Sequence, residues 1–463
     1  MADTDTLLDA AMAKQQAGLL AEAQALCAQI LQQDGRHPEA LNLMGVLAAQ
    51  SGQTGQALEL VRAAIVEQPE NHHFRFNHAH ILELAGEGSA VRAYREALII
   101  NPQHLPALIN LGNLLLEQDN IGEAIDCFNR AISANRQVAA AHLGLGIALQ
   151  RKQLPAEALS CFQQALTLDP QSLEATSNVA SLLVDLGRAE EALPYLKSAL
   201  GRAPGSAELN TNFGVALFES GDLDGAVSAL EAARALDPNN CRATAMLGLL
   251  WAARGEADAV SALFDYDKAL RHRRLTQIPG FADLASFNQA LVQRVLSHPS
   301  LMPDRPSKTT RVGAQTGELT SDNDEAIQTL VSTIKAEVES YLSALAQLPG
   351  MPGPPPAWRL TLWATVLRRG GYQDPHVHPS GRVSGVYYAR IPRPANVDDP
   401  EQGAITFGVG PARFGDLPIP RRTLQPSEGM LLMFPSYFWH RTTPFEGEPE
   451  RISLAFDAVP SDQ

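Results

Sequence analysis

The first 255 or so residues repeat with a period of 34, and no other feature limits the fold as tightly. One phase is marked by Ala23, Ala57, Ala90, Ala124, Ala158, Ala192 and Ala226, and a second by Ala64, Ala97, Ala131, Ala165, Ala199 and Ala233. Glycines recur at Gly45, Gly112, Gly146, Gly214 and Gly248, and prolines close units at Pro69, Pro102, Pro170, Pro204 and Pro238. Small residues held at fixed phase let two helices approach closely, so each period reads as a helix–turn–helix. One such pair cannot bury its apolar face without neighbours, and the predicted architecture is a linear all-α array. An unrelated bundle would not keep its phase over about seven units.

These markers resemble tetratricopeptide repeats, about seven of which fit residues 1–270 together with a capping helix at 263–270. The resemblance implies a superhelix whose first helices line the concave face. Asn77, Asn110, Asn178 and Asn212 stand two residues before the Gly/Ala marker on those helices, with Gly144 and Met246 breaking the series. An amide both donates and accepts, so such a ladder can pair with the backbone of an extended protein segment or peptide. In this respect the chain resembles the repeat region of O-linked N-acetylglucosamine transferases. The competing account is that Asn is frequent at this position throughout the repeat family.

Charge is unevenly placed. Residues 1–270 hold 17 Lys+Arg against 32 Asp+Glu, whereas residues 271–463 hold 19 of each. An acidic array argues against nucleic acid as partner and is compatible with a basic polypeptide, or simply with solubility. The start carries no basic region followed by a long apolar run, and no stretch approaches a membrane span, so a cytoplasmic location without membrane contact is expected. Of the four cysteines, Cys127 and Cys161 occupy equivalent repeat positions, which reads as buried filling and not as a disulfide framework.

Beyond Gly255 the repeat markers fade, and Arg271-His-Arg-Arg274 reads as a short basic stop. Helical spacing returns at Phe287 to Leu296 and more strongly at Ala326 to Leu345, where Ile327, Leu330, Val331, Ile334, Val338, Tyr341 and Leu342 form one stripe. Residues 298–324 read as a long loop, and Leu348-Pro-Gly-Met-Pro-Gly-Pro-Pro-Pro356 breaks regular structure. Short runs rich in Val, Tyr, Phe and Trp follow at 359–368, 383–391, 403–408, 429–435, 438–443 and 451–458. They predict a double-stranded β-helix, or jelly roll, with its core at about 358–459 inside a second domain of residues 275–459 and with flanking helices. The chain is therefore expected to be multidomain.

Three histidines fall in this region, and all stand where a metal site needs them. Alternation puts His376 and His378 on one face of an extended segment, and His440 ends an apolar run 62 residues after His378. Arg451 and Ser453 follow, also two apart. Two close ligands, one distant ligand and a following Arg point to an open iron site beside a carboxylate clamp. The stretches Pro375-His-Val-His-Pro379, Ser384-Gly-Val-Tyr-Tyr388, Gly429-Met-Leu-Leu-Met-Phe-Pro-Ser436, His440 and Arg451-Ile-Ser-Leu-Ala-Phe456 resemble the Fe(II)/2-oxoglutarate-dependent oxygenases, in their prolyl-hydroxylase-like branch. Gly313-Ala-Gln-Thr-Gly-Glu-Leu319 adds to it. The resemblance implies Fe(II) held by His376, His378 and His440, 2-oxoglutarate held by Arg451 with Ser453 and Tyr388, and dioxygen as co-reactant. Trp363 and Trp439 are expected to shape the pocket, or else to be plain core. The superfamily's majority pattern is His-x-Asp with a distant His, and His378 departs from it. Asp374 is the alternative carboxylate donor, and His378→Asp is expected to keep or improve metal binding.

The leading expectation is a 2-oxoglutarate-dependent hydroxylase whose array presents a protein or peptide. Three imidazoles can also hold a hydrolytic zinc, although a clamp of Arg451 and Ser453 has no use there. The non-enzymatic alternative is an interaction scaffold with a degenerate barrel.

Overall fold

The computed structural model describes residues 3–303, 309–348, 353–392 and 401–461. Residues 304–308 of the expected loop and 349–352 of the proline-rich break lie outside the described residues. By compactness the chain forms two units, Met1–Ala175 and Thr176–Gln463.

Both units contain antiparallel helical pairs in tandem, such as Leu105–Glu117 with Ile121–Ala134 and Ala207–Glu219 with Leu223–Leu236. The glycine markers have a packing cause. A Cβ at Gly112 would come within 2.7 Å of the Phe128 ring and one at Gly144 within 2.3 Å. The fully buried Phe128 thus wedges between the first helices of successive repeats, where only hydrogen leaves room.

A second 34-residue series ends the first helices. Gly18, Gly52, Gly86, Gly187, Gly221 and Gly255 take positive φ, and Asp119 and Gln153 take φ of 59° and 62° at the same place. There the chain turns left-handed so that the next amide can reach back, as Leu154 N does to Leu149 O at 3.0 Å. A side chain in that conformation costs about 1–2 kcal/mol. Gln153→Gly is therefore expected to raise unfolding free energy by up to about 1 kcal/mol in urea titration, and a loss would contradict this account.

Among the described residues the barrel is a curled antiparallel sheet of ten strands: β1 (Arg271–Arg274), β2 (Met302–Pro303), β3 (Thr310–Gln315), β4 (Trp358–His376), β5 (Val383–Arg390), β6 (Ile405–Phe407), β7 (Arg422–Leu424), β8 (Met430–Pro435), β9 (His440–Thr442) and β10 (Arg451–Pro460). The order is β1-β8-β5-β10-β4-β9-β6-β7, with β3 also on β4 and β2 on β3. This is the expected double-stranded β-helix. Helices Leu284–Ser297 and Glu325–Leu345 flank it, the first joined to β5 where Tyr387 Oη donates to Asn288 Oδ1 at 2.6 Å.

Three sequence expectations are corrected. Arg271–Arg274 is a strand on β8, not a stop, because an edge strand needs only its backbone while its cations meet Glu337 and Ser340 on the flanking helix. The loop at 298–324 contains β2 and β3, whose glycine and polar content hid the pairing. The capping helix is two short pieces, Ala257–Leu263 and Tyr266–Ala269. Among the described residues no helix is long and apolar enough to cross a membrane.

Candidate metal centre

Strand β4 pairs with β10 along residues 358–367 and then, past Gly370 at φ 77°, with β9. A Cβ at Gly371 would meet the carbonyl oxygens of Arg368 and Val312 at 2.7 and 2.8 Å, so glycine is required where the strand changes partner. This crossing sets His376 opposite His440 in antiparallel register. His378 lies just beyond the strand, its backbone N–H on Ser436 O at 3.0 Å. The ring centroids of His376 stand 4.3 Å from His440 and 5.2 Å from His378, and one ring nitrogen from each residue lies within 4.8 Å of the others. The three predicted histidines converge.

Their outward nitrogens are all taken. His376 Nδ1 meets Asp374 O at 2.7 Å, His440 Nδ1 meets Phe438 O at 2.9 Å, and His378 Nδ1 meets Asp457 Oδ1 at 2.7 Å. Each partner only accepts, so each Nδ1 carries a proton, and in the neutral ring each Nε2 keeps a lone pair. That is the tautomer a metal requires. Burial, with neighbouring imidazoles second, pushes His376 down to about 3 and His440 well below the usual histidine range. These two rings therefore stay neutral at neutral pH, and the trio can hold a metal ion.

In a second trio among the described residues, His72, His73 and His104, two rings already use a lone pair. His104 Nδ1 accepts from Ala107 N–H as a helix cap, and His72 Nε2 accepts from the Asn101 amide, whose oxygen already takes Gln103 N–H. In the neutral rings the remaining nitrogens of His104 and His72 carry protons, unlike the inward nitrogens of the barrel trio.

A cavity of about 390 Å³ opens beside His376, His378 and His440. Arg451, Ser453, Ala455 and Asp457 all line it, because alternate residues of β10 share one face. Arg451 is 2% exposed, and its Nη1 donates to Gly403 O at 2.9 Å while its Nε has no partner. Among the described residues no carboxylate pairs with it. Glu450 meets Arg390 at 3.0 Å, and Asp457 lies six residues, about 20 Å, further along the strand. Burial lowers the Arg451 pKa. The guanidinium carbon stands 5.4 Å from the Tyr388 ring centroid, and the buried Tyr388 hydroxyl also lacks a partner. Buried orphaned donors on the cavity wall mark a place for an anion.

Other expectations resolve as follows. Asp374 turns its carboxylate away to Arg311 at 2.8 Å, so it does not complete the trio. Trp363 stacks near His378, at 5.9 Å, and lines the cavity. Trp439 does not, because it alternates with His440 and points outward, donating from Nε1 to Ala245 O at 3.2 Å. Asn77 bonds Asn42 and Asn110 bonds Tyr94, and both are half-buried, as is Asn178; Asn212 is 1% exposed and accepts from Arg242. The sequence reading missed Asp457 as the partner of His378, although period two from Arg451 would have reached it. It also missed Gln315, whose amide holds Thr310 and Thr365 at the cavity wall.

Three converging imidazoles beside a buried guanidinium that meets no carboxylate among the described residues, in a double-stranded β-helix, define an oxygenase-type barrel that follows a helical repeat array along the chain. A family model described as "Putative 2OG-Fe(II) oxygenase" matches residues 361–457, and tetratricopeptide-repeat models match 8–72, 88–140, 109–172, 143–207 and 183–250. The chain thus carries tetratricopeptide repeats within residues 8–250 and, at 361–457, a domain that matches the "Putative 2OG-Fe(II) oxygenase" model. No curated protein matches it. Among solved structures it is similar to YrrB, a TPR protein with an unusual peptide-binding site, at 26% identity over 40% of this chain and 96% of that one, TM-score 0.37. It is also similar to PilF of Pseudomonas aeruginosa at 23% identity over 45% and 97%, TM-score 0.42. A tetratricopeptide repeat protein of Parabacteroides merdae matches at 19% identity over 50% and 93%, TM-score 0.39.

Removal of ligands should be selective. His376→Ala with His440→Ala is expected to abolish stoichiometric Fe(II) binding under anaerobic titration. Full retention of iron would sink the assignment.

Proposed function

We propose that the chain is an Fe(II)/2-oxoglutarate-dependent hydroxylase acting on a polypeptide, with His376, His378 and His440 as the metal ligands. The observation that carries this reading is Arg451, a buried cation that meets no anion among the described residues, beside three imidazoles able to hold a metal. An unpaired buried charge is costly, and a dianionic cosubstrate offsets it. When bound, Fe(II) with 2-oxoglutarate supplies dioxygen activation coupled to decarboxylation, leaving succinate and carbon dioxide.

The chain's own residues bind, orient and exclude water. Arg451 offers a planar fork for the far carboxylate, and Gly403 O with the Tyr388 ring holds that fork in place. Ser453 and Tyr388 add hydroxyl donors from the same wall, and Val386, Ile405 and Phe434 add apolar surface to a lining that also holds Gln315, Thr365 and Thr442. A hydrolytic zinc is the second reading of three histidines, but it leaves Arg451 unexplained.

The repeats are the place for the polypeptide. Asn77 and Asn110 in one unit and Asn178 in the other keep part of their amides accessible, whereas Asn212 is already engaged by Arg242.

Anaerobic addition of Fe(II) and 2-oxoglutarate is expected to give a metal-to-ligand charge-transfer band. Arg451→Ala should weaken 2-oxoglutarate binding by about 2–5 kcal/mol with iron binding intact. Unchanged succinate production at limiting 2-oxoglutarate would place the clamp elsewhere. For the repeats, Asn77→Ala with Asn110→Ala should cost about 0.5–1.5 kcal/mol per lost pairing in polypeptide binding, while uncoupled 2-oxoglutarate turnover persists. Equal affinity in the double variant would reduce these residues to repeat consensus.

A further inference from the structure

We propose that Asp457 is the carboxylate of this metal centre, serving it through His378 instead of binding the metal directly. The inference rests on the metal reading above. Iron sites of this facial type carry two histidines and one carboxylate, whose charge partly offsets that of the ion. Here position 378 holds an imidazole where those sites have a carboxylate, Asp374 is paired with Arg311, and the carboxylate that touches the trio is on β10.

The geometry is that of a prepared partner. Asp457 Oδ1 accepts from His378 Nδ1 at 2.7 Å and from Ser384 Oγ at 2.6 Å, and Ser436 Oγ stands 2.8 Å from Ser384 Oγ. With the Ser384 proton given to Asp457, the Ser436 hydroxyl donates in turn to Ser384. The chain of hydroxyls thus ends on the carboxylate and fixes its orientation, and none of its members is left without a partner. Space is cleared for it as well. A Cβ at Gly381 would lie 2.6 Å from Ser436 Oγ and 3.3 Å from Asp457.

The three ligands are not equivalent. His376 and His440 lean on neutral backbone carbonyls, and only His378 is backed by a carboxylate. A carboxylate behind an imidazole fixes its tautomer and raises the basicity of the far nitrogen. Asp457 is therefore a positioning residue that returns through His378 the negative charge missing from the ligand set. Strand β10 then supplies both halves of the site's electrostatics: Arg451 faces the cosubstrate and Asp457 faces the metal.

This arrangement reverses the sequence expectation for His378→Asp. A carboxylate at 378 would face Asp457, two like charges in a dry site, so it should help only once Asp457 is neutral.

The test is anaerobic titration of the full chain with Co(II), read by dissociation constant, bound-metal content and visible ligand-field absorption. Asp457→Asn is isosteric, but its amide can donate to Nδ1 and move the ring proton to Nε2, so affinity should fall about 10–100-fold with the thermal midpoint of the metal-free protein kept. His378→Asp alone should also bind poorly. The pair His378→Asp/Asp457→Asn should recover at least roughly tenfold over His378→Asp, with a ligand-field spectrum shifted from the parent. Parent affinity and spectrum in Asp457→Asn would overturn the inference and leave the metal centre standing, as would equal affinity of His378→Asp with and without Asp457→Asn. Failure of the parent protein to bind Co(II) would overturn the metal reading itself, and this inference with it.

Discussion

The site depends on one strand having two sets of partners. One edge of β4 pairs with β10 over residues 358–367 and, beyond the Gly370–Gly371 crossing, with β9, while β3 pairs with β4 on both sides of that crossing. Without that crossing, His376 would remain in the layer of β10, and the residue opposite it would not be His440. The convergence of three imidazoles is therefore a property of backbone register, held by the ladder bonds of two strands. A register slip of one residue would turn every side chain of the segment to the opposite face.

Buried charge is the second organising feature. The barrel encloses Arg451 and Asp457 on the same face of one strand yet keeps them apart, so neither satisfies the other. Asp457 is matched by His378, Ser384 and, through Ser384, Ser436, whereas Arg451 has one carbonyl and an aromatic face. The asymmetry is informative. A fold selected for stability alone would have closed this pair or replaced Arg451 with an apolar residue.

How much of this was legible in the sequence followed from which residues carried periodic information. The repeat phase exposed the helical pairs because Gly and Ala sit where helices touch, as Gly112 and Gly144 do against Phe128. The histidines, Arg451, Ser453 and Tyr388 were legible because alternation and the resemblance acted together. What stayed hidden depended on backbone pairing or on contacts between distant segments. Strand β1 looks like a basic tail because its side chains face outward. Strand β3 looks like a loop because its hydrogen bonds go to β4 and need no apolar pattern. The Asp457–His378 contact joins residues 79 apart, and the burial of Asn212 under Arg242 depends on how neighbouring first helices pack. Alternation from Arg451 can put Asp457 on the cavity face, but no local rule pairs it with His378 or buries Asn212.

The helix Cys241–Ala253 belongs to the repeat series by phase, yet nine of its thirteen residues are buried, and the barrel accounts for much of that cover. Cys241 Sγ donates to Gly381 O, three residues past His378, and Ala245 O receives Trp439, one residue before His440. Leu249 fills the space beside Gly410, and Tyr437 reaches Leu263 O. Both segments that carry the histidine trio therefore rest on this end of the repeat series. Repeats in such an array can be gained or lost in evolution where each touches only its neighbours. Here that freedom ends before the last pairs. Repeat number can drift upstream, while the final repeat is inherited with the barrel as a single block.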